Sequence, residues 1–515
     1  MKKVNSRSSK RTRKVSRQPK RLLEDSKLVL KKRAPGLSLM LKKVWLGLIK
    51  IFSKTENIFL LLAIPALLVI AHITPAGWGL DEGAHIPRAY QISEGTLYPK
   101  DLGEMGFGGE TSQSLFDAST HGFLESTIAQ PETPFFERQD LIDKNLNNNL
   151  SGQLLDSKAR NVHEFGTAGV YSPFIYTFSA IGFLISRILN LNVGDSVFVA
   201  RGLQASFFVA CCYLALRLLS KNKLKWLLFS FMLLPGVIYQ AITINADSFT
   251  LAMVFLFVAS LIYFFNLKEE ASRTELATLG FSALGMGLTK PSYAIFVGLI
   301  LFLPEVGFTN RQRMIKLKAL FVGVAFALFL LFSLLAMPFE SAIHKPVALA
   351  ADMSLSGQLK FISSNPIIFL KALTKTTVEQ LPNWSQSFIG RLGLNTVWVP
   401  QQSFILAWIL LSMGALYGAK GLSKKVAGYF VATGILSAMA VVVLLYSTFN
   451  VVGSGRVAGI QGRYFIPGGI LIAIGLGRLF PIKLQIKSPT EYLLFTGISG
   501  FILYNTIIVY VFSVL

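Results

Sequence analysis

Charged residues are scarce in this chain, 15% of its 515 residues, where soluble domains carry about a quarter. Cysteine is scarcer still. Its two copies, Cys211 and Cys212, are neighbours in an apolar stretch, which excludes a disulfide scaffold, a CxxC redox motif and a Cys/His metal set. The five histidines show no H-E-x-x-H spacing. Glycine runs such as Gly453-Ser454-Gly455 follow no strand-to-helix pattern, so a dinucleotide fingerprint fails, and neither a P-loop nor a nucleophile elbow occurs. What is present is hydrophobic: 52% of residues, with a mean hydropathy of +0.53. Several runs of roughly 20 apolar residues are each long enough to cross a hydrocarbon core of about 30 Å. This is the composition of a multi-pass membrane protein.

The net charge of +23 is concentrated at one end. Residues 1–54 hold 18 Lys or Arg against Glu24 and Asp25, which leaves the rest of the chain at only +7. A nucleic-acid reading would rest on this tail alone, so no nucleic acid is expected as a partner. The tail reads as a cytoplasmic segment that orients the first span and rests on anionic lipids. Within it, residues 37–52 set Trp45 and Phe52 among lysines, the pattern of an interfacial helix.

Apolar runs occur near 56–75, 168–190, 197–219, 224–242, 249–266, 275–289, 291–305, 317–337, 403–420, 425–447, 464–480 and 490–514. Counting all twelve as spans places three Lys/Arg-rich loops, around 217–225, 311–318 and 420–425, on the outside, against the positive-inside rule. Removing 168–190, which opens with Gly169-Val170-Tyr171-Ser172-Pro173 and contains Arg187, repairs all three. That segment is expected as an amphipathic helix on the outer face. The expectation is an all-α protein of about eleven transmembrane helices, with a cytoplasmic N-terminus and an outer C-terminus. Its parts are the tail 1–54, a membrane module 55–337 that includes a large outer loop 76–196, a second outer loop 338–402, and C-terminal helices 403–515. Residues 76–167 carry 14 acids, 6 bases and three of the histidines, His85, His121 and His163. Gly108-Gly109, Pro131-Glu132-Thr133-Pro134 and Asn147-Asn148-Asn149 mark turns and mobile loop there.

Ionisable groups within spans are costly and mark function. Here they collect at outer ends: Asp81, Arg201, Asp247, Lys290 and Arg463. In Asp81-Glu82-Gly83-Ala84-His85, a helix would put Asp81 and His85 at i,i+4 and Glu82 and His85 at i,i+3. Asp81 is then either a helix cap or a general base. Asn245-Ala246-Asp247-Ser248 fits capping as well as function, and Lys290-Pro291-Ser292-Tyr293 fits a turn. Arg391 and Gln461-Gly462-Arg463-Tyr464 add donors suited to phosphate or to lipid headgroups. Acids at 81 and 247 and cations at 290, 391 and 463 on one face are what transfer from a membrane-anchored phosphosugar needs.

Asp81-Glu82-Gly83-Ala84-His85-Ile86-Pro87-Arg88-Ala89-Tyr90-Gln91-Ile92-Ser93-Glu94-Gly95 resembles the hallmark opening of a bacterial domain-of-unknown-function family of multi-pass membrane proteins, typically D-E-P-A-H-F-x-R-A-Y-Q-I-x-E-G. Tyr171-Ser172-Pro173, Asn245-Ala246-Asp247-Ser248, Lys290-Pro291-Ser292-Tyr293 and Gln461-Gly462-Arg463-Tyr464-Phe465-Ile466-Pro467 follow in the expected order. Gly83 replaces the usual proline and Ile86 the usual aromatic. That family in turn looks like the GT-C glycosyltransferases, polytopic enzymes that use polyprenyl-phosphate sugars. The resemblance implies an acid in the first large outer loop, matched by Asp81, with Glu82 and His85 in support. It also implies surface helices in that loop and a second large outer loop after the seventh span.

The sequence therefore leads to a glycosyltransferase of the bacterial cytoplasmic membrane. It would pass a sugar from a polyprenyl-phosphate donor to a cell-surface glycan or lipid-linked acceptor. Asp81, Glu82 and His85 are the candidate catalytic residues, and Arg88, Asp247, Lys290, Arg391, Arg463 and Tyr464 the candidate binding residues. A divalent cation is the one cofactor left open. The rival readings are a transporter or flippase of lipid-linked glycans, a polysaccharide polymerase, and a scaffold recruited through the basic tail.

Overall fold

The computed structural model describes residues 54–128, 150–155, 158–342, 353–393, 396–418, 421–482 and 484–514. The basic tail with its expected interfacial helix, the side chain of His121, and the turn clusters at 131–134 and 147–149 lie outside the described residues. Residues Thr55–Leu515 form one compact unit.

Helices dominate. α1 (Thr55–Ile73) is followed by α2 (Glu82–Ser93) and, beyond a small sheet, by α3 (Gln113–Ile128) and α4 (Thr177–Ile188). Then come α5 (Val193–Leu218), α6 (Lys225–Met232), α7 (Pro235–Ile242), α8 (Ala246–Phe265) and α9 (Arg273–Leu288), a 3-10 helix Pro291–Phe302, and α10 (Arg311–Ala342). α11 (Leu355–Ser364) and α12 (Pro366–Ile389) fill the second polar region, ahead of α13 (Gln401–Gly418), α14 (Lys424–Phe449), α15 (Ile466–Leu479) and α16 (Thr490–Val514). Their starts are chemically encoded. Asn192 and Asn245 accept bonds from the first free amides of α5 and α8, Ser272 and Glu275 form a capping box on α9, and Ser423 caps α14.

Six helices, α1, α5, α8, α10, α14 and α16, are long and apolar enough to cross a membrane. α6 and α7 make a seventh if read as one span bent by 62°. The break follows from Pro235, which opens α7, and it is tolerated because both halves are buried in protein. The remaining runs of the expected eleven are helical but shorter. Their directions alternate between two ends of the bundle. At one end, Thr74 bonds the Tyr510 hydroxyl at 2.9 Å and the Gln204 amide donates to the Thr243 carbonyl at 2.6 Å. At the other, Lys223 lies 4.3 Å from the Tyr417 ring, Tyr417 bonds Glu491, Arg478 bonds the Leu422 carbonyl, and the Ala271 amide bonds the Gly307 carbonyl at 3.2 Å.

One expectation is revised. Residues 76–167 are not loop throughout: β1 (Lys100–Asp101), β2 (Phe107–Ser112) and β3 (Arg160–Glu164) form an antiparallel sheet in the order β1-β2-β3. Gly108 and Gly109, read as a turn, sit inside β2. A Cβ at Gly108 would meet the His163 carbonyl oxygen at 1.6 Å, so glycine there allows close approach rather than reversal. The fold is accordingly mostly helical with a small β element, and a second antiparallel pair joins β4 (Arg391–Leu392) to β5 (Val397–Trp398). The segment 168–190 holds only the short helix Pro173–Ile188, with Ile181, Leu184 and Ile188 exposed and Ala180 and Phe183 buried.

Candidate functional site

Between α1 and α2 the chain turns through Gly77, whose φ is +84°, and Asp81, whose φ of 63° is left-handed. For a non-glycine residue that backbone is uncommon, with aspartate and asparagine the usual exceptions. Asp81 stands at the start of α2 but makes no side-chain cap bond. Its carboxylate accepts instead from Arg463 Nη2 at 2.5 Å. The side chain is 55% exposed and forms part of the wall of a half-open cavity.

Arg463 sits behind Asp81, with 2% of its side chain exposed. It follows Gly462, where a Cβ would lie 1.8 Å from the Trp384 carbonyl oxygen, so only glycine lets this turn press against α12. Nη2 also reaches the Tyr464 hydroxyl at 3.1 Å, and Nη1 lies 3.7 Å from Asp247 Oδ2. Nε and Nη1 find no hydrogen-bond acceptor among the described residues. Lys290, at the turn between α9 and the 3-10 helix, pairs with Asp247 Oδ1 at 2.5 Å and lies over the Tyr464 ring at 4.9 Å and the Tyr171 ring at 5.6 Å. Asp247, in the first turn of α8, is positioned by the cap Asn245, which binds its amide at 2.9 Å. Two carboxylates and two cations thus form a quartet of zero net charge.

Burial alone would raise the Asp81 carboxyl, but Arg463, His85 and Lys290 outweigh it and hold it below the ordinary carboxylate range. Burial pushes the His85 imidazole down to about 4, so it is neutral at physiological pH. Its Nδ1 shares a 2.6 Å bond with the Tyr176 hydroxyl, and its ring stacks on Tyr171 with centroids 5.6 Å apart. Tyr171 is raised to about 12 by burial and stays protonated.

The quartet opens on a cavity of about 780 Å³. Asp81, His85, Lys290, Tyr171, Tyr293 and Tyr464 line its charged part, and Val441, Leu444 and Leu445 of α14 its apolar part. Phe116 and Thr120 of α3 and Val162, His163 and Glu164 of β3 close the side nearest the sheet. Tyr293 is held by donating to the Tyr464 carbonyl at 2.9 Å.

The structure therefore brings Asp81, His85, Asp247, Lys290, Arg463 and Tyr464 together and leaves three sequence candidates elsewhere. Glu82 faces away from the cavity, fully buried, and its carboxylate accepts from Arg201 at 2.6 and 2.9 Å, from the Gly79 amide at 2.9 Å and from the Ile244 amide at 2.8 Å. Arg88 is buried on α2 against Gln91 and the Leu97 carbonyl, off the cavity wall. Arg391 lies 3.8 Å from the Trp398 ring and donates to Asn383 at 3.0 Å, also off the wall. Tyr176, His163 and the α14 face were not singled out from sequence, because no spacing links residues so far apart in the chain.

A divalent cation does not fit this arrangement. No group of three His, Cys, Asp or Glu close enough to hold a metal occurs among the described residues, and both carboxylates already face cations.

Neither a curated protein nor a solved structure matches the chain. One family model does, over residues 65–472, which takes in α2, the quartet and α14. By that match the chain belongs to the DUF2142 family of predicted membrane proteins.

Proposed function

We propose that this membrane protein is a glycosyltransferase of the bacterial cytoplasmic membrane, moving a sugar from a polyprenyl-phosphate donor to a cell-surface or lipid-linked glycan with Asp81 as general base. The observation that carries the reading is the stacking of charge at the cavity wall: a cavity-facing carboxylate with a guanidinium directly behind it and an ammonium beside them. In the transfer, an acceptor hydroxyl oxygen bonds the anomeric carbon while the bond from that carbon to the phosphate oxygen breaks. The hydroxyl proton passes to Asp81, and the departing polyprenyl phosphate takes the electron pair under the field of Lys290 and Arg463. His85, neutral and fixed by Tyr176, orients the acceptor.

Asp81 shields Arg463 from the cavity, so a donor phosphate reaches that guanidinium only by displacing the carboxylate. Displacement frees the base as the donor binds. A quartet of zero net charge with two unused Arg463 donors suits the single charge of a phosphodiester better than a pyrophosphate, which favours transfer from a monophosphate carrier over polymerase chemistry. Val441, Leu444 and Leu445 offer a surface for the carrier's hydrocarbon.

Eleven traversals fit the same reading, with the N-terminus cytoplasmic, the basic tail on anionic lipid and the C-terminus outside. The 3-10 helix Pro291–Phe302 has 12 residues. At a rise of about 2 Å each they extend about 24 Å, most of a bilayer core. The site then lies at the outer boundary.

The test compares surface and lipid-linked glycans of a deletion strain rescued with wild type or Asp81→Asn. A specific sugar should be missing in the deletion and in Asp81→Asn at normal protein level. Full rescue by Asp81→Asn overturns the reading. Accumulation of a complete, untransferred lipid-linked glycan on the inner leaflet would point to a flippase instead.

A further inference from the structure

The cavity wall is chemically asymmetric. Its cations, Lys290 on the wall and Arg463 behind it, both belong to the quartet. The wall nearest the sheet is built by α3 and the edge strand β3, and among the described residues it holds no cation. Its polar groups are Thr120, His163, Glu164 and Thr167, interleaved with the apolar surfaces of Met105, Phe116 and Val162.

Two observations mark this wall as a binding surface. His163 is 5% exposed, and its Nε2 has no hydrogen-bond partner among the described residues. An unpartnered buried donor or acceptor is expensive, so a ligand group that meets it gains more than one meeting solvent-exposed atoms. Burial also pushes His163 down to about 4, so it adds no positive charge at neutral pH. The second observation is Glu164, exposed on the wall, with Oε1 accepting from the Gly166 amide at 3.0 Å. Partial desolvation raises its carboxyl above the ordinary range, and the Gly166 amide bond offsets only part of that rise. Aromatic and apolar surface with hydroxyl, imidazole and carboxylate groups, and no cation among the described residues, suits a polyhydroxylated, uncharged molecule. It repels a polyanion.

We propose that the α3–β3 wall is the acceptor subsite and that it takes an uncharged sugar, excluding phosphate-rich glycans such as polyol-phosphate chains. The inference rests on the transferase reading and narrows its acceptor. The quartet holds the phosphate of one substrate, and the α3–β3 wall selects an uncharged second substrate.

The test uses full-length protein in nanodiscs carrying Val162→Cys, with Thr167→Cys as a second probe position; both native side chains are exposed on this wall. The native cysteines are buried in α5, and wild type serves as the blank. Labelling is measured with neutral, trimethylammonium and sulfonate methanethiosulfonates, each normalised to a free thiol. The cationic reagent should react about tenfold faster than the anionic one, the lower range of electrostatic focusing in a cleft, and Glu164→Gln should bring the two rates together. Equal or reversed rates overturn the proposal. Glycan from the deletion strain is then split by anion exchange into neutral and anionic pools and added at equal sugar concentration. The neutral pool should slow labelling severalfold and the anionic pool should not. Protection by the anionic pool, or by neither, overturns the proposal while leaving the transferase reading intact. Protection by the neutral pool together with full rescue by Asp81→Asn would instead keep the subsite and remove the catalytic role.

Discussion

Asp81 and Glu82 are adjacent acids with opposite fates, and one backbone angle separates them. The left-handed φ at Asp81 sends its carboxylate to Arg463, while Glu82, already helical, points back to Arg201. Sequence spacing made Asp81 and His85 legible because helical periodicity relates them. It also grouped Glu82 with them, since no local pattern reports a positive φ at aspartate. Asp81→Asn should lower transfer about 10²–10⁴-fold, the usual worth of a general base, with the protein still monodisperse. The pH dependence follows from the same pair. A depressed carboxyl stays ionised until pH falls through its lowered pKa, so the acid limb of kcat/KM should lie below the ordinary carboxylate range. On the transferase reading, donor phosphate takes over Arg463, so Asp81 would lose that support and its pKa would rise. The acid limb of kcat should therefore fall at higher pH than that of kcat/KM. Coincident limbs would show that the carboxylate is not displaced.

At the level of elements, the clamp formed by Glu82, Arg201 and the carbonyls of Thr74 and Pro75 fastens the start of α2 to α1 and α5. Removing one partner of a buried pair costs about 3–5 kcal/mol. Glu82→Gln and Arg201→Ala should each lower the unfolding midpoint clearly, by fluorescence-detected size exclusion after heating, whereas Asp81→Asn should shift it far less. A larger effect at Asp81 would reverse the division of labour between the two acids. Gly462→Ala should drive Arg463 out of place because its Cβ would strike the Trp384 carbonyl, with loss of both transfer and stability. One cap was readable, since Asn245-Ala246-Asp247-Ser248 fits a helix start, and Asn192 and Ser272 cap α5 and α9 by the same chemistry. The sheet was not, because β2 runs Phe-Gly-Gly-Glu-Thr-Ser, in which glycine stands for close packing and no hydrophobic alternation reveals a strand. Arg391 was likewise opaque, since its partner Trp398 arrives through a two-residue strand too short to carry a pattern.

Across the whole molecule, hydropathy located the apolar runs, and charge asymmetry proposes an orientation for them. It could not reveal that some are too short to cross as ordinary α-helices, because a 3-10 helix or a bent pair has no hydropathy signature. Single cysteines at Lys316 and Glu104 test the resulting orientation, since both positions are exposed. In intact cells an impermeant thiol reagent should label the Glu104 variant and spare the Lys316 variant; the converse would invert the topology.

The most hidden of the candidate spans, α8, is strongly apolar, although the peripheral α10 is more apolar still. The α8 window is 89% buried, α6 and α7 are enclosed with it, and α10 on the periphery is only 11% buried. A helix as greasy as α8 enters a bilayer on its own hydropathy, yet in the finished protein it scarcely meets lipid. Its lipid coat is thus temporary and is exchanged for protein as the later helices arrive. Chains interrupted before α13 would leave α6, which packs against α13 and α16, in contact with acyl chains. They should be inserted yet unassembled, and so fall to membrane quality control rather than accumulate as an inactive protein.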